Sequence, residues 1–292
     1  MSATRKKILV AILISMAVSA ALFAIPSKEP IYDPDAVYER RVHTKAELKA
    51  FVNSPHFRIE SIKRYLAQDD VPVLIDMLND NRYQKDWAHL TRTLGFLDEG
   101  TEAQHAIIYH IQRGRPWPWG DSARLKIVWM KIAAVVTLGR TNGEVAQATA
   151  RDALTESGAL KLAEEWIERD LPGQFKSNPE RVIALIRGDA ALGLVYSQDE
   201  ESIQLVENLF ESVAPRAIEQ RKHQLENSIG FLDQTREEQA LDTLHGGLVT
   251  ALAARDLIDD IGYDRLLKMH DEEDALGGWI AEYSQEYLKD YP

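Results

Sequence analysis

The residues in this chain whose types could do chemistry are histidines, clustered acids and one aromatic loop; there is no cysteine. Without cysteine, disulfides, thiolate metal sites, cysteine nucleophiles and a lipoprotein anchor all fall away. His105 and His110 share a helical stretch, but a five-residue separation sets them about 140° apart. A shared metal ion wants i,i+3 or i,i+4 spacing, so both are expected at the surface, and His89 joins them only through tertiary contact. His270-Asp271-Glu272-Glu273-Asp274 is rich in carboxylates. It lacks the alternating ligands and bend-forming glycine of a calcium loop, and it reads as a solvated acidic helix start. Glu164-Glu165, Glu200-Glu201 and Asp259-Asp260 are neighbours on helices and point about 100° apart, so they form no acid/base couple by themselves. No G-x-S-x-G, P-loop, H-E-x-x-H or dinucleotide fingerprint is present. No catalytic residue, metal ligand or cofactor is therefore assigned.

The sharpest local feature is Gly114-Arg115-Pro116-Trp117-Pro118-Trp119-Gly120. Two prolines delete amide donors and fix φ, so this segment is a rigid loop. Trp117 and Trp119, flanked by Arg113 and Arg115, are candidate partner contacts, because rigid aromatics lose little entropy on binding. The alternative is that both indoles fold back over the adjoining helices.

The elements that position this loop are helical. Thr44-x-x-Glu47 has capping-box spacing and opens a helix that stops at Asn53-Ser54-Pro55. A second helix covers about 56–68. Asp70 caps the next, with Pro72 in its first turn and Val71, Leu74, Ile75 and Leu78 on a buried face. Helices follow at 85–98 (Trp87, Leu90, Leu94, Leu97) and 102–113 (Ala103, Ala106, Ile107, Tyr109, Ile111). Residues 122–139 are apolar on nearly all sides and belong in the middle of the structure. Thr141 is read as a cap before 144–156, and a helix at 159–170 ends at Leu171-Pro172-Gly173. Asn178-Pro179 supplies N-cap and N1 for 179–197. Helices at 200–213 (closed by Pro215), 216–232, 236–256, 263–270 and 272–289 finish the chain.

One junction repeats. Thr93-Leu94-Gly95-Phe96-Leu97-Asp98-Glu99-Gly100-Thr101-Glu102-Ala103-Gln104 returns, edited, from Ile229 to Ala240. Both copies place a threonine three residues before Gln104 or Glu238, the capping-box spacing. Leu94-Gly95, Leu138-Gly139, Leu192-Gly193 and Ile229-Gly230 are spaced by 44, 54 and 37 residues, read as successive helix-to-turn junctions. Asp189-Ala190-Ala191-Leu192-Gly193 and Arg92-Thr93-Leu94-Gly95-Phe96-Leu97-Asp98 resemble the alanine–leucine–glycine run of HEAT repeats. The resemblance covers about 70–256; the spacing is irregular and the usual valine–arginine is missing. It implies an all-α fold, a right-handed α-solenoid of HEAT-like hairpins, in which each unit buries its apolar face on the next. It also implies a scaffold or peptide-binding surface, although some proteins of this architecture handle ligands or catalyse reactions.

Residues 1–30 read as a signal peptide or membrane anchor plus linker, and 31–292 as the repeat domain. Arg5-Lys6-Lys7 precede an apolar run of 18 residues, Ile8 to Ile25, with small residues near Val18–Ala21. The run suits either cleavage or an uncleaved span. Both export the remainder to a periplasmic or other extracytoplasmic location, with membrane contact only through 8–25. The net charge is −12, and residues 1–24 hold three cations and no acid, leaving −15 on the rest. Such a surface argues against nucleic-acid binding, which needs clustered Lys and Arg. The expected function is a non-enzymatic adaptor holding a protein or peptide partner. The alternative is an extracytoplasmic enzyme or ligand-handling protein on the same scaffold.

Overall fold

The computed structural model describes residues 42–54, 57–97, 100–114, 121–169, 171–230, 233–271 and 275–291. Among them every regular element is helical. The expected leader at 1–30, and Arg115, Trp117 and Trp119, lie outside the described residues. No helix among the described residues is long and apolar enough to cross a membrane.

The helices are α1 (Lys45–Val52), α2 (Ile59–Tyr65), α3 (Val71–Asn79), α4 (Trp87–Leu97), α5 (Thr101–Gln112), α6 (Asp121–Arg140) and α7 (Glu144–Asp152). They continue as α8 (Glu156–Arg169), α9 (Gly173–Lys176), α10 (Pro179–Tyr196), α11 (Glu200–Glu226), α12 (Arg236–Ile261), α13 (Tyr263–Asp271) and α14 (Ala275–Leu288). The packing follows chain order. α4 lies on α6, α6 on α10, α10 on α12, and α12 on α14. α3 packs on α5, and α5 on α7 and α8. The buried apolar residues, from Leu48 to Leu266, merge into one continuous core.

The central helix is α10. It touches α6, α7, α8, α9, α11 and α12. Val182, Ile186, Ala190, Ala191 and Leu194 on it are fully enclosed. Asn178 caps it by accepting from the Arg181 amide at 2.9 Å, with Pro179 at its first position, as the sequence predicts. α6, expected in the middle, keeps an open stripe in which Trp129 is 43% exposed. Ser122, Lys126 and Ala133 lie on the same side.

The capping boxes at Thr44 and Thr235 form as the spacing demands. Two others do not. Thr101 is the first residue inside α5, whose N-cap is Gly100. Its intended partner Gln104 is buried and reaches across to α7, where Oε1 accepts from the Ala146 amide at 2.9 Å. Gly143, not Thr141, is therefore the N-cap of α7, and a side chain from another hairpin satisfies the amide that a local cap would take. A Cβ on Gly143 would sit 1.8 Å from Gln104 Nε2, so glycine makes this crossing possible. Thr141 instead donates to the Thr137 carbonyl one turn back.

Asp70 also departs from the expected role. It makes no side-chain cap to α3. Its buried carboxylate accepts from the His43 amide at 2.7 Å, contacts His43 Nδ1 at 2.9 Å, and accepts from the Ala67 amide at 3.0 Å. It ties the chain before α1 to the turn before α3. Pro215, expected to end a helix, lies inside α11, which runs 27 residues. The buried residues Ser202, Val206, Val213, Ala217 and Gln224 continue one helical stripe through the proline. Packing of both halves against neighbouring helices outweighs the lost hydrogen bond.

Gly230 lies in the expected turn between α11 and α12, whereas the other three junction glycines have another physical role. Gly95, Gly139 and Gly193 lie inside helices, where helices cross, and do not mark turns. A Cβ on Gly139 would stand 2.8 Å from the Gly193 carbonyl carbon, and one on Gly188 would stand 3.0 Å from Gly247 Cα. These contacts bring the backbones of α6, α10 and α12 together.

Candidate functional site

Arg113, the described member of the candidate loop cluster, is turned inward. Its Nη1 donates to Asn79 Oδ1 at 2.9 Å and its Nη2 to the Leu78 carbonyl at 3.0 Å, closing the end of α3. The guanidinium also lies 5.1 Å from the Tyr109 ring centroid. Gly114 donates its amide to Glu165 at 2.6 Å, which fastens the start of the loop to α8. Arg113 thus commits its two terminal nitrogens to the end of α3, while its Nε is buried without a hydrogen-bond partner among the described residues.

The histidines are not gathered. His105 is exposed, whereas His110, expected at the surface, is buried edge-on to Trp87 at 5.0 Å. Its Nδ1 has no hydrogen-bond partner among the described residues. Burial, then the charges of Lys131 and Arg113, hold its pKa well below the ordinary value, so the ring is neutral at pH 7. His89 stacks on Phe57 and bonds the Val52 carbonyl. No group of three or more potential ligands suited to a metal ion occurs among the described residues.

The structure assembles a different place, which the motifs do not reveal. A cleft of about 380 Å³ opens between α4, α6 and α10. Arg92 comes from α4, Met130, Ala133 and Arg140 from α6, and Leu192 and Tyr196 from α10. Each set follows from helical geometry, because residues three, four or seven apart share a face. Arg140 lies over the Phe96 ring, 3.4 Å from its centroid, and its Nη2 is buried with no hydrogen-bond partner. Burial lowers its pKa to about 10, with the neighbouring Arg92 charge acting in the same direction. Arg140 is still cationic at neutral pH. Tyr196 and Tyr263 are close enough for their charged forms to favour Arg140's charge, and their rings lie 6.3 Å apart. Burial pushes the Tyr196 hydroxyl up to about 12, so it remains a protonated donor. A second cavity of about 480 Å³ between α10, α11 and α12 mixes Glu180 and Glu237 with Arg187 and Arg216, so its charges oppose one another.

Asp189, one helical turn before Leu192 on α10, is desolvated without an ion pair or hydrogen bond among the described residues. Burial raises its carboxyl from 3.8 to about 7. The sign of the linkage follows. Below the ordinary carboxylate range the group is protonated in both states and imposes no penalty. As pH climbs toward 7 the unfolded chain gives up this proton while the folded chain keeps it, so stability falls, and it levels off above 7. Asp189→Asn should flatten this decline and leave the protein about 1–3 kcal/mol more stable than wild type at pH 8. Urea midpoints from pH 4 to 8 test this; an unchanged slope in Asp189→Asn rejects it.

No family model matches the chain, and neither a curated protein nor a solved structure does.

Proposed function

We propose that this chain is a HEAT-like α-solenoid adaptor, exported or tethered through residues 8–25, that holds a protein or peptide partner along its helical surface. The observation that carries this reading is the serial packing of α4, α6, α10, α12 and α14, each on the next. Such stacking encloses α10 and leaves outer faces on helices such as α6 available to a partner. On α6 that face holds Trp129, exposed and aromatic, between Lys126 and Ala133. Trp117 and Trp119, which precede α6 in the sequence, are proposed as further contacts for the partner.

The experiment uses the full chain carrying a photo-crosslinking residue at Trp129 or, as a control, at Leu160 on α8, which is 41% exposed. One protein should crosslink from position 129 and not from 160. The Trp117→Ala/Trp119→Ala variant should lose it while keeping its helix content. Equal adducts from both positions, or none from 129, would remove the adaptor reading and favour the ligand-handling alternative.

A further inference from the structure

We propose that the cleft between α4, α6 and α10 is a binding pocket for a carboxylate carrying a short apolar body. This inference needs no protein partner and stands or falls apart from the adaptor reading.

The anion end is defined by Arg140. Its guanidinium makes no ion pair or hydrogen bond among the described residues, and its Nη2 is buried. A buried charge with unmet donors is costly unless something else supplies acceptors. Stacking on Phe96 fixes the plane of the fork, and a planar fork matches a carboxylate's two oxygens. Arg92 lines the same cleft. The Tyr196 hydroxyl, which lines the cleft, bonds no other described group and can donate to an anion. Asp189 and Asp264 act on Tyr196 and Tyr263, and neither makes an ion pair or hydrogen bond with Arg140.

The remaining walls specify the body of the ligand. Met130, Ala133, Val136 and Leu192 offer no hydrogen bonds, His89 and Thr91 beside them already bond the Val52 and Trp87 carbonyls, Thr137 adds one hydroxyl, and a volume of about 380 Å³ suits a small ligand or a single chain end. Inorganic phosphate would leave these walls uncovered. A carboxylate with an apolar tail satisfies both ends. Its source is either a free organic acid or the terminal carboxylate of a peptide.

The test is calorimetric titration of the full chain with hexanoate and with neutral hexanamide, which has the same length. Saturable hexanoate binding at least tenfold tighter than hexanamide is expected. Two variants locate it. Arg140→Gln removes the charge, and Ala133→Phe fills the cleft from an exposed position, so it keeps the fold even if Arg140→Gln does not. Each should weaken hexanoate at least tenfold. A parallel arm uses a leucine-terminated tripeptide with a free or an amidated end. A free-ended peptide that binds tighter than hexanoate identifies a chain terminus as the ligand, and the reverse order identifies a free acid. Equal binding of hexanoate and hexanamide, no saturable binding of either carboxylate, or wild-type binding by Ala133→Phe would overturn the proposal.

Discussion

Gly193→Ala should destabilise the protein by about 3 kcal/mol, near the upper end for overpacking a close contact. The added methyl would stand 2.6 Å from the Val136 carbonyl oxygen and 3.0 Å from Gly139 Cα. Both are backbone atoms of α6, so no side chain can rotate away, and α6 and α10 must separate. Because α10 also carries α12 through Gly188 and Gly247, the displacement is felt on both sides. Gly246→Ala is the matched control. It lies one residue from Gly247 on α12, and nothing stands within 4 Å of its added Cβ. There the gain in helix propensity should stabilise the fold by about 0.5–1 kcal/mol. Urea denaturation of the two variants should therefore move in opposite directions. A Gly193→Ala midpoint at or above wild type would mean that the close crossing of α6 and α10 is not formed.

Lys131→Met should cost about 2–4 kcal/mol, through lost hydrogen bonds at a buried helix end. Lys131 is 2% exposed, and its Nζ donates to the carbonyls of His110 at 2.7 Å, Ile111 at 3.1 Å and Arg113 at 2.7 Å. These acceptors end α5, where carbonyls have no partner within the helix and carry the negative end of its dipole. Methionine keeps the length and apolar stem of lysine but supplies no donor, leaving the three acceptors desolvated. The exposed Lys126 on the same helix provides the comparison, and Lys126→Met should stay within about 0.5 kcal/mol of wild type. Hydrogen exchange at residues 110–114 would localise the effect, since the same carbonyls hold the entry to the aromatic loop. Equal stability of the Lys131 and Lys126 variants would show that these bonds contribute no net stability.

Arg113, Lys131 and Gln104 mark the division between what is legible in the linear chain and what is not. In sequence, Gln104 reads as a local capping partner, Arg113 as a contact beside the aromatic loop, and Lys131 as an ordinary polar helix position. Each instead satisfies backbone groups of another element: Arg113 at the end of α3, Lys131 at the end of α5, and Gln104 at the start of α7. Their partners lie 18 to 42 residues away. Nothing in local periodicity carries that distance.

The sequence by itself determined the all-helical class, most helix positions, the caps at Thr44, Asn178 and Thr235, and the apolar faces of α3 and α4. These features are set by interactions within four residues: i,i+3 and i,i+4 side-chain alignment, capping and proline geometry. Only the tertiary structure decided that α11 passes through Pro215, that Gly95, Gly139 and Gly193 are crossing points and not turns, and that Asp70 binds His43. It also decided where a charged cleft lies. Arg92, Arg140, Leu192 and Tyr196 meet because α4, α6 and α10 cross closely, and closeness between helices depends on summed burial over many residues rather than on any local signal.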